Sequence, residues 1–165
     1  MHLISLRHFL LSVVVALGAQ ATQSLAAHAA GEPKRVVFVC AHGSVKSLVA
    51  AVYFNRLAGE RGLPYRAMAR GTAPDSTVPA PVVDGLHTDG FDVAGFVPRL
   101  LRESDIDGIA LIVSFDEDIT KTVGTRAPYL KWDDLPGVLS DYPRGRVAIV
   151  SQVDALVEAL ARGSP

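Results

Sequence analysis

One stretch of this chain leaves few choices of fold: V-V-F-V-C-A-H-G-S-V-K-S-L-V-A-A, from Val36 to Ala51. The apolar run Val36, Val37, Phe38, Val39 stops at Cys40, the one cysteine of the chain. The loop Ala41–Lys46 follows, then Ser47, then a helical pattern beginning at Leu48. This is a buried strand, a tight loop carrying a thiol, and the start of a helix. A helix N-terminus leaves its first backbone N–H groups unpaired and carries a partial positive charge, so it attracts anions. The same field favours a thiolate, the nucleophilic form of cysteine. A cysteine placed there can hold an oxyanion and attack it. Position alone also allows a small buried residue at a strand end.

The rest of the chain continues the alternation. Strands are expected at Arg35–Val39, Tyr65–Ala69, Ile109–Ser114 and Ala127–Trp132, and helices at Ser47–Gly59, Pro81–Gly90, Glu117–Val123 and Arg146–Arg162. Val147–Val150 can also be read as a short strand. In the first helix Leu48, Ala51, Val52, Phe54 and Leu57 supply a core-facing stripe, with Gly59 near its stop. Short apolar runs between helical patterns predict a three-layer α/β/α domain around a parallel sheet of about four strands. Ligands in such sheets bind beyond the carboxyl ends of the strands. Cys40, Arg70 to Thr72, and Ser114 to Asp116 all fall at that edge, and Ala73–Pro81, with three prolines, loops over it.

Cys40, five residues, a cation at Lys46 and a hydroxyl at Ser47 resemble the signature of low-molecular-weight protein-tyrosine phosphatases and of the arsenate reductases sharing their fold. Arg70-Gly71-Thr72 resembles that family's Ala-Gly-Thr segment. Gly90-Phe91-Asp92-Val93, Arg99 to Asp107, and Ile109–Val113 followed by Asp116-Glu117 resemble its later stretches, so the likeness runs from about Val36 to Trp132. The resemblance implies a phospho- or arseno-cysteine on Cys40, an oxyanion cradle of Ala41, His42, Gly43, Ser44 and Val45, and Ser47 as the thiolate's partner. Phosphate or another tetrahedral oxyanion is the implied ligand, and no cofactor is called for.

Three positions depart from the family pattern. Lys46 stands in place of Arg, a point charge that cannot grip phosphate oxygens in a fork. Gly43 stands where the family has Asn, so a side chain that braces the loop is missing. The family's Asp-Pro, whose Asp is the general acid, has no clean counterpart in Trp132-Asp133-Asp134-Leu135-Pro136-Gly137. Alignment on Leu-Pro puts Gly137 at the acid's position, and Asp133 or Asp134 would have to substitute. Arg70 carries two readings, a surface arginine ending its strand or a guanidinium supplying the missing fork. Ser47 can also serve as a plain N-cap, worth about 1 kcal/mol. His42 adjoins the thiol or simply faces solvent, and Trp132 is expected beside the site loop or in the core. His87 is isolated from other ligand-type residues, so no metal site is expected.

The function these features imply is an exported cysteine-dependent phosphatase. Arsenate reduction with an external thiol is one alternative, since further cysteines for a thioredoxin relay are absent. A non-catalytic module that binds an oxyanion or a partner on the same fold is another.

Arg7 precedes the apolar stretch Phe9–Gly18, and small residues lead to Ala27-His28-Ala29. That is the layout of a signal peptide over residues 1–29, with cleavage before Ala30 and a periplasmic or secreted destination. The apolar core is short for a membrane span; an uncleaved anchor is the alternative. No cysteine near the cleavage point is available for lipid attachment. Residues 30–165 then form one domain, expected to be monomeric and free of the membrane. Removing residues 1–29 takes away one arginine and no acidic residue, so the net charge moves from −1 to −2. With no basic cluster, nucleic acid is not an expected partner. A single cysteine also forbids an internal disulfide.

Overall fold

The computed structural model describes residues 31–123 and 127–163, so the signal peptide expected over residues 1–29 lies outside the described residues. Strands β1 (Lys34–Cys40), β2 (Tyr65–Gly71), β3 (Leu111–Phe115) and β4 (Tyr129–Trp132) form one sheet in the order β2-β1-β3-β4. Every pairing is parallel. The central strand β1 is apolar on both faces because both faces are covered. Val36, Phe38 and Cys40 point to one side, Val37 and Val39 to the other.

The near face, under Phe38 and Cys40, carries the long helices α1 (Lys46–Glu60), α2 (Ala80–Thr88) and α5 (Tyr142–Ala161). Helix α1 is wedged between the sheet and α5. Val49, Ala50 and Tyr53 are therefore buried along with Leu48, Ala51 and Phe54, while Val52 and Leu57 lie at the margin. Gly62, at φ 63°, follows the helix in the left-handed region and turns the chain toward β2. The far face is thinner. Single-turn helices α3 (Glu103–Ile106) and α4 (Thr120–Val123) lie in its connections, and Leu101, Ile106, Ile109 and Ile119 pack onto Val37, Val39 and Ile112.

Helix α5 starts at Tyr142, four residues before the expected Arg146, because Asp141 accepts a bond from the Arg144 amide at 3.0 Å and Pro143 is tolerated in the first turn. That start places Val147–Val150 in helix and removes the strand reading. The helix expected over Glu117–Val123 is reduced to α4, since the Asp118 carboxylate accepts the Thr120 amide at 3.0 Å and begins the helix there. Trp132 belongs to the core, its ring 5.8 Å from Phe38 and 5.4 Å from Phe115. His87 is exposed on α2.

Candidate active site

Cys40 closes β1, and the chain then crosses the carboxyl edge of the sheet into α1. The residue is buried at 4% exposure, and its sulfur lies 3.1 Å from the Ser47 hydroxyl and accepts the Gly43 amide at 3.2 Å. Ser47 sits one residue inside α1, whose N-cap is Val45 with no side-chain capping bond. Its hydroxyl is thus directed at the sulfur, and the plain N-cap reading of Ser47 is corrected. The first-turn amides of α1 are left without a capping side chain at the point where an anion would bind.

The loop is laced to the segment after β2. Thr72 donates to the Cys40 carbonyl at 3.1 Å, Ala73 to Ala41 at 2.8 Å and Asp75 to His42 at 3.0 Å. So close an approach requires two glycines. A Cβ on Gly43, which sits at φ 67°, would come within 2.8 Å of the Gly71 amide, and one on Gly71 within 2.8 Å of the Ala41 carbonyl. The bracing expected of an Asn at position 43 comes instead from Asp75. Its carboxylate accepts the buried Ser44 hydroxyl at 2.5 Å and meets His42 Nδ1 at 2.9 Å. The Ser44 bond, joined by His42 and opposed by burial, holds Asp75 below the ordinary carboxylate range. Nothing in the sequence marked Asp75 beyond its place in a proline-rich loop at the ligand-binding edge.

Lys46 has a different occupation from the one expected of it. Its ammonium donates to the Asp116 carboxylate at 2.5 Å and to the Leu135 carbonyl at 2.9 Å, and its side chain is only 16% exposed. The other Asp116 oxygen accepts the Asp134 amide at 3.2 Å. Both aspartates lie in the left-handed region, at φ 59° and 60°. Lys46 therefore ties the start of α1 to the turn after β3 and to the loop after β4. In sequence Asp116 stands out only beside Glu117 after a strand, and its partner Lys46 lies 70 residues earlier, beyond local pattern.

Two expectations fail on geometry. Arg70 is paired in register with Val39, on the far face, while Cys40 is paired with Gly71. The Arg70 guanidinium grips Asp105 through Nε at 3.0 Å and Nη2 at 2.8 Å and donates to the Ala69 carbonyl, so it supplies no fork to the loop. Burial works to raise Asp105, but the Arg70 and Arg102 contacts outweigh it and keep the carboxyl below its usual range. Asp133 pairs with Lys131 at 3.1 Å, and the loop presents Gly137, Val138, Leu139 and Ser140 to the site in place of Asp133 or Asp134. Gly137, the residue that alignment on Leu-Pro sets at the acid's position, is among the residues lining the cleft.

These elements enclose a cleft of about 340 Å³ with Cys40 among its walls. Ala41, His42, Val45, Lys46, Phe115, Asp116 and Glu117 complete it. A thiolate there can attack a tetrahedral centre held by backbone amides. Among the described residues no group of His, Cys, Asp and Glu is placed to hold a metal ion, and no helix is long and apolar enough to cross a membrane.

Comparison with curated protein sequences found no match. Among solved structures, a YwlE mutant from Bacillus subtilis superposes with a TM-score of 0.68 at 17% identity, covering 78% of this chain and 99% of that one. A protein tyrosine phosphatase from Entamoeba histolytica gives 0.68 at 16% identity, covering 80% and 98%. The thioredoxin-dependent arsenate reductase Cg_ArsC1' of Corynebacterium glutamicum gives 0.60 at 17%, covering 83% of this chain and 64% of its own. At these identities the likeness establishes the fold. The family model described as low molecular weight phosphotyrosine protein phosphatase matches residues 35–131. That match takes in the sheet but for the first residue of β1 and the last of β4 and covers more than half of the sequence, and the chain belongs to the low molecular weight phosphotyrosine protein phosphatase family.

Proposed function

We propose that this chain is an exported phosphomonoesterase that works through a phospho-cysteine on Cys40. The observation that carries the reading is the sulfur itself, at the foot of a cleft, 3.1 Å from the Ser47 hydroxyl and 3.2 Å from the Gly43 amide. Both donors favour negative charge on sulfur, and the uncapped α1 terminus favours the phosphoryl oxygens. Prearranged donors of this kind are commonly the largest catalytic contribution. With Lys46 engaged by Asp116, the oxyanion relies mainly on backbone amides, and turnover should be slower than in relatives carrying Arg. Export rests on the pattern of residues 1–29.

Steady-state hydrolysis of p-nitrophenyl phosphate tests the reading. Cys40→Ser is expected to lower kcat/KM by about 1,000-fold or more, and equal rates for the two proteins would reject the mechanism. The Lys46–Asp116 contact favours a second reading, an oxyanion-binding module without turnover. It expects phosphate to raise the melting temperature by mass action while no aryl phosphate is hydrolysed. Arsenate-dependent oxidation of an added small thiol would reassign the same nucleophile to arsenate reduction.

A further inference from the structure

Phosphoryl transfer to sulfur leaves a negative oxygen on the departing group, and this cleft offers few ways to protonate it. Of its protonatable side chains, Cys40 is the nucleophile and Lys46 and Asp116 are bound to each other. Glu117 is turned toward the Thr72 hydroxyl at 3.3 Å. Gly137 to Ser140 contribute no acid, and Asp133 and Asp134 are not among the lining residues. His42 is the remaining group. His42 lines the cleft two residues from Cys40, its side chain is about half-exposed, and Nδ1 is held at 2.9 Å by Asp75, which leaves Nε2 without a partner among the described residues. Asp75 is itself fixed by the Ser44 hydroxyl, and its amide by the His42 carbonyl. A carboxylate that orients one imidazole nitrogen so that the other can pass a proton is a recurring catalytic arrangement.

We propose that His42, oriented by Asp75, is the acid and base of this site. The inference rests on the phosphatase reading given above. In the first step the Cys40 thiolate attacks phosphorus, the bond from phosphorus to the ester oxygen breaks, and that oxygen takes the proton from His42 Nε2. In the second step the neutral imidazole takes a proton from water as the water oxygen attacks phosphorus. The sulfur–phosphorus bond then breaks, sulfur departs as thiolate, and His42 ends protonated. Asp75 is a positioning residue in this scheme. Asp75 from the loop after β2 contacts the ring, and the titratable groups that share the cleft with His42 are Lys46 from α1, Asp116 and Glu117 from the turn after β3, and Cys40; the 137–140 segment adds none.

The test compares phenyl phosphate, whose leaving group needs a proton, with p-nitrophenyl phosphate, whose leaving group needs little help. His42→Asn is expected to cost about 100-fold in kcat/KM on phenyl phosphate, less than about tenfold on p-nitrophenyl phosphate, and to remove the alkaline limb of the phenyl phosphate pH profile. Asp75→Asn should show the same substrate pattern at smaller size. An equal loss on both substrates, no loss on either, or the selective loss appearing in Glu117→Gln instead would overturn the assignment. Thermal unfolding of each variant checks that it is folded. If the wild type shows no Cys40-dependent turnover, the phosphatase reading fails and this inference falls with it, an outcome distinct from the preceding ones.

Discussion

Arg70 and Lys46 both stand at the carboxyl edge of the sheet, and each is locked to an aspartate, yet they belong to different faces and do different work. Arg70 lies on the far face, where a forked pair with Asp105 ties the end of β2 to α3, with both side chains less than one-fifth exposed. Lys46 lies on the near face, at the cleft, where its single ammonium ties α1 to Asp116 and to the Leu135 carbonyl. The residue best suited to a forked grip on phosphate is thus placed on the face opposite the Cys40 cleft. The residue at the site carries a weaker grip and is already engaged. The difference shows that strand parity decides which cation stands at the cleft, while the thiol and the uncapped α1 amides lie on the near face.

Breaking the far-face pair should separate structure from function most clearly. Arg70→Ala leaves the Asp105 carboxylate with the Arg102 amide but without its guanidinium partner, and the expected cost is about 2 kcal/mol of stability in urea unfolding, roughly 30-fold in the folded-to-unfolded ratio. Turnover per folded molecule should be unchanged. A loss of kcat/KM in fully folded protein would mean that the two faces are coupled.

The near-face pair should behave in the opposite way. Asp116→Asn keeps an acceptor for the Asp134 amide while releasing Lys46 from an anionic partner. Calorimetric titration with inorganic phosphate is expected to show about fivefold tighter binding, a gain of about 1 kcal/mol. Weaker binding would show that Asp116 serves the anion site and does not compete with it. Lys46→Arg alone should shift phosphate affinity less than about twofold, because Asp116 claims the guanidinium as it claims the ammonium. Combined with Asp116→Asn, it should add more than its effect alone, the non-additivity expected of groups in contact. Simple additivity would contradict the competition.

The smallest effect expected is on acid stability. Asp75 and Asp105 both titrate below the ordinary carboxylate range in the folded state. Their contribution is therefore present above the unfolded carboxylate value and lost as pH falls through the depressed folded values. Ser44→Ala removes the main cause at Asp75, and Arg70→Ala the main favourable one at Asp105. Each should flatten the acid limb of stability against pH, and an unchanged limb in both would discount these pairs.

Much of this arrangement was legible from local pattern, and the parts that were not share a cause. The strand, loop and helix around Cys40 are contiguous, so apolar run, loop and helical period sufficed to place the thiol at the carboxyl edge. The face of Arg70 depends on register, and a one-residue change of parity moves a side chain to the opposite side of a sheet. Partners such as Asp116 for Lys46 and Asp75 for Ser44 lie 70 and 31 residues away, beyond any local signal. Helix α3, at four residues, is too short to show a period. The start of α5 is set by the Asp141 cap and Pro143, which lie ahead of the residues expected to begin the helix at Arg146. Gly137, by contrast, was matched in sequence to the position of the family's acid, and it lines the cleft.

The most direct test is to look for the phosphoryl group on sulfur. Wild-type protein is mixed with excess p-nitrophenyl phosphate, quenched in alkaline denaturant during turnover and digested at alkaline pH, and the peptide carrying Cys40 is weighed by mass spectrometry. One added phosphoryl group on Cys40, absent from Cys40→Ala treated in the same way and lost on exposure to mild acid, is the predicted result. Turnover with the phosphoryl group on His42, or with none on the protein at any quench time, would contradict it.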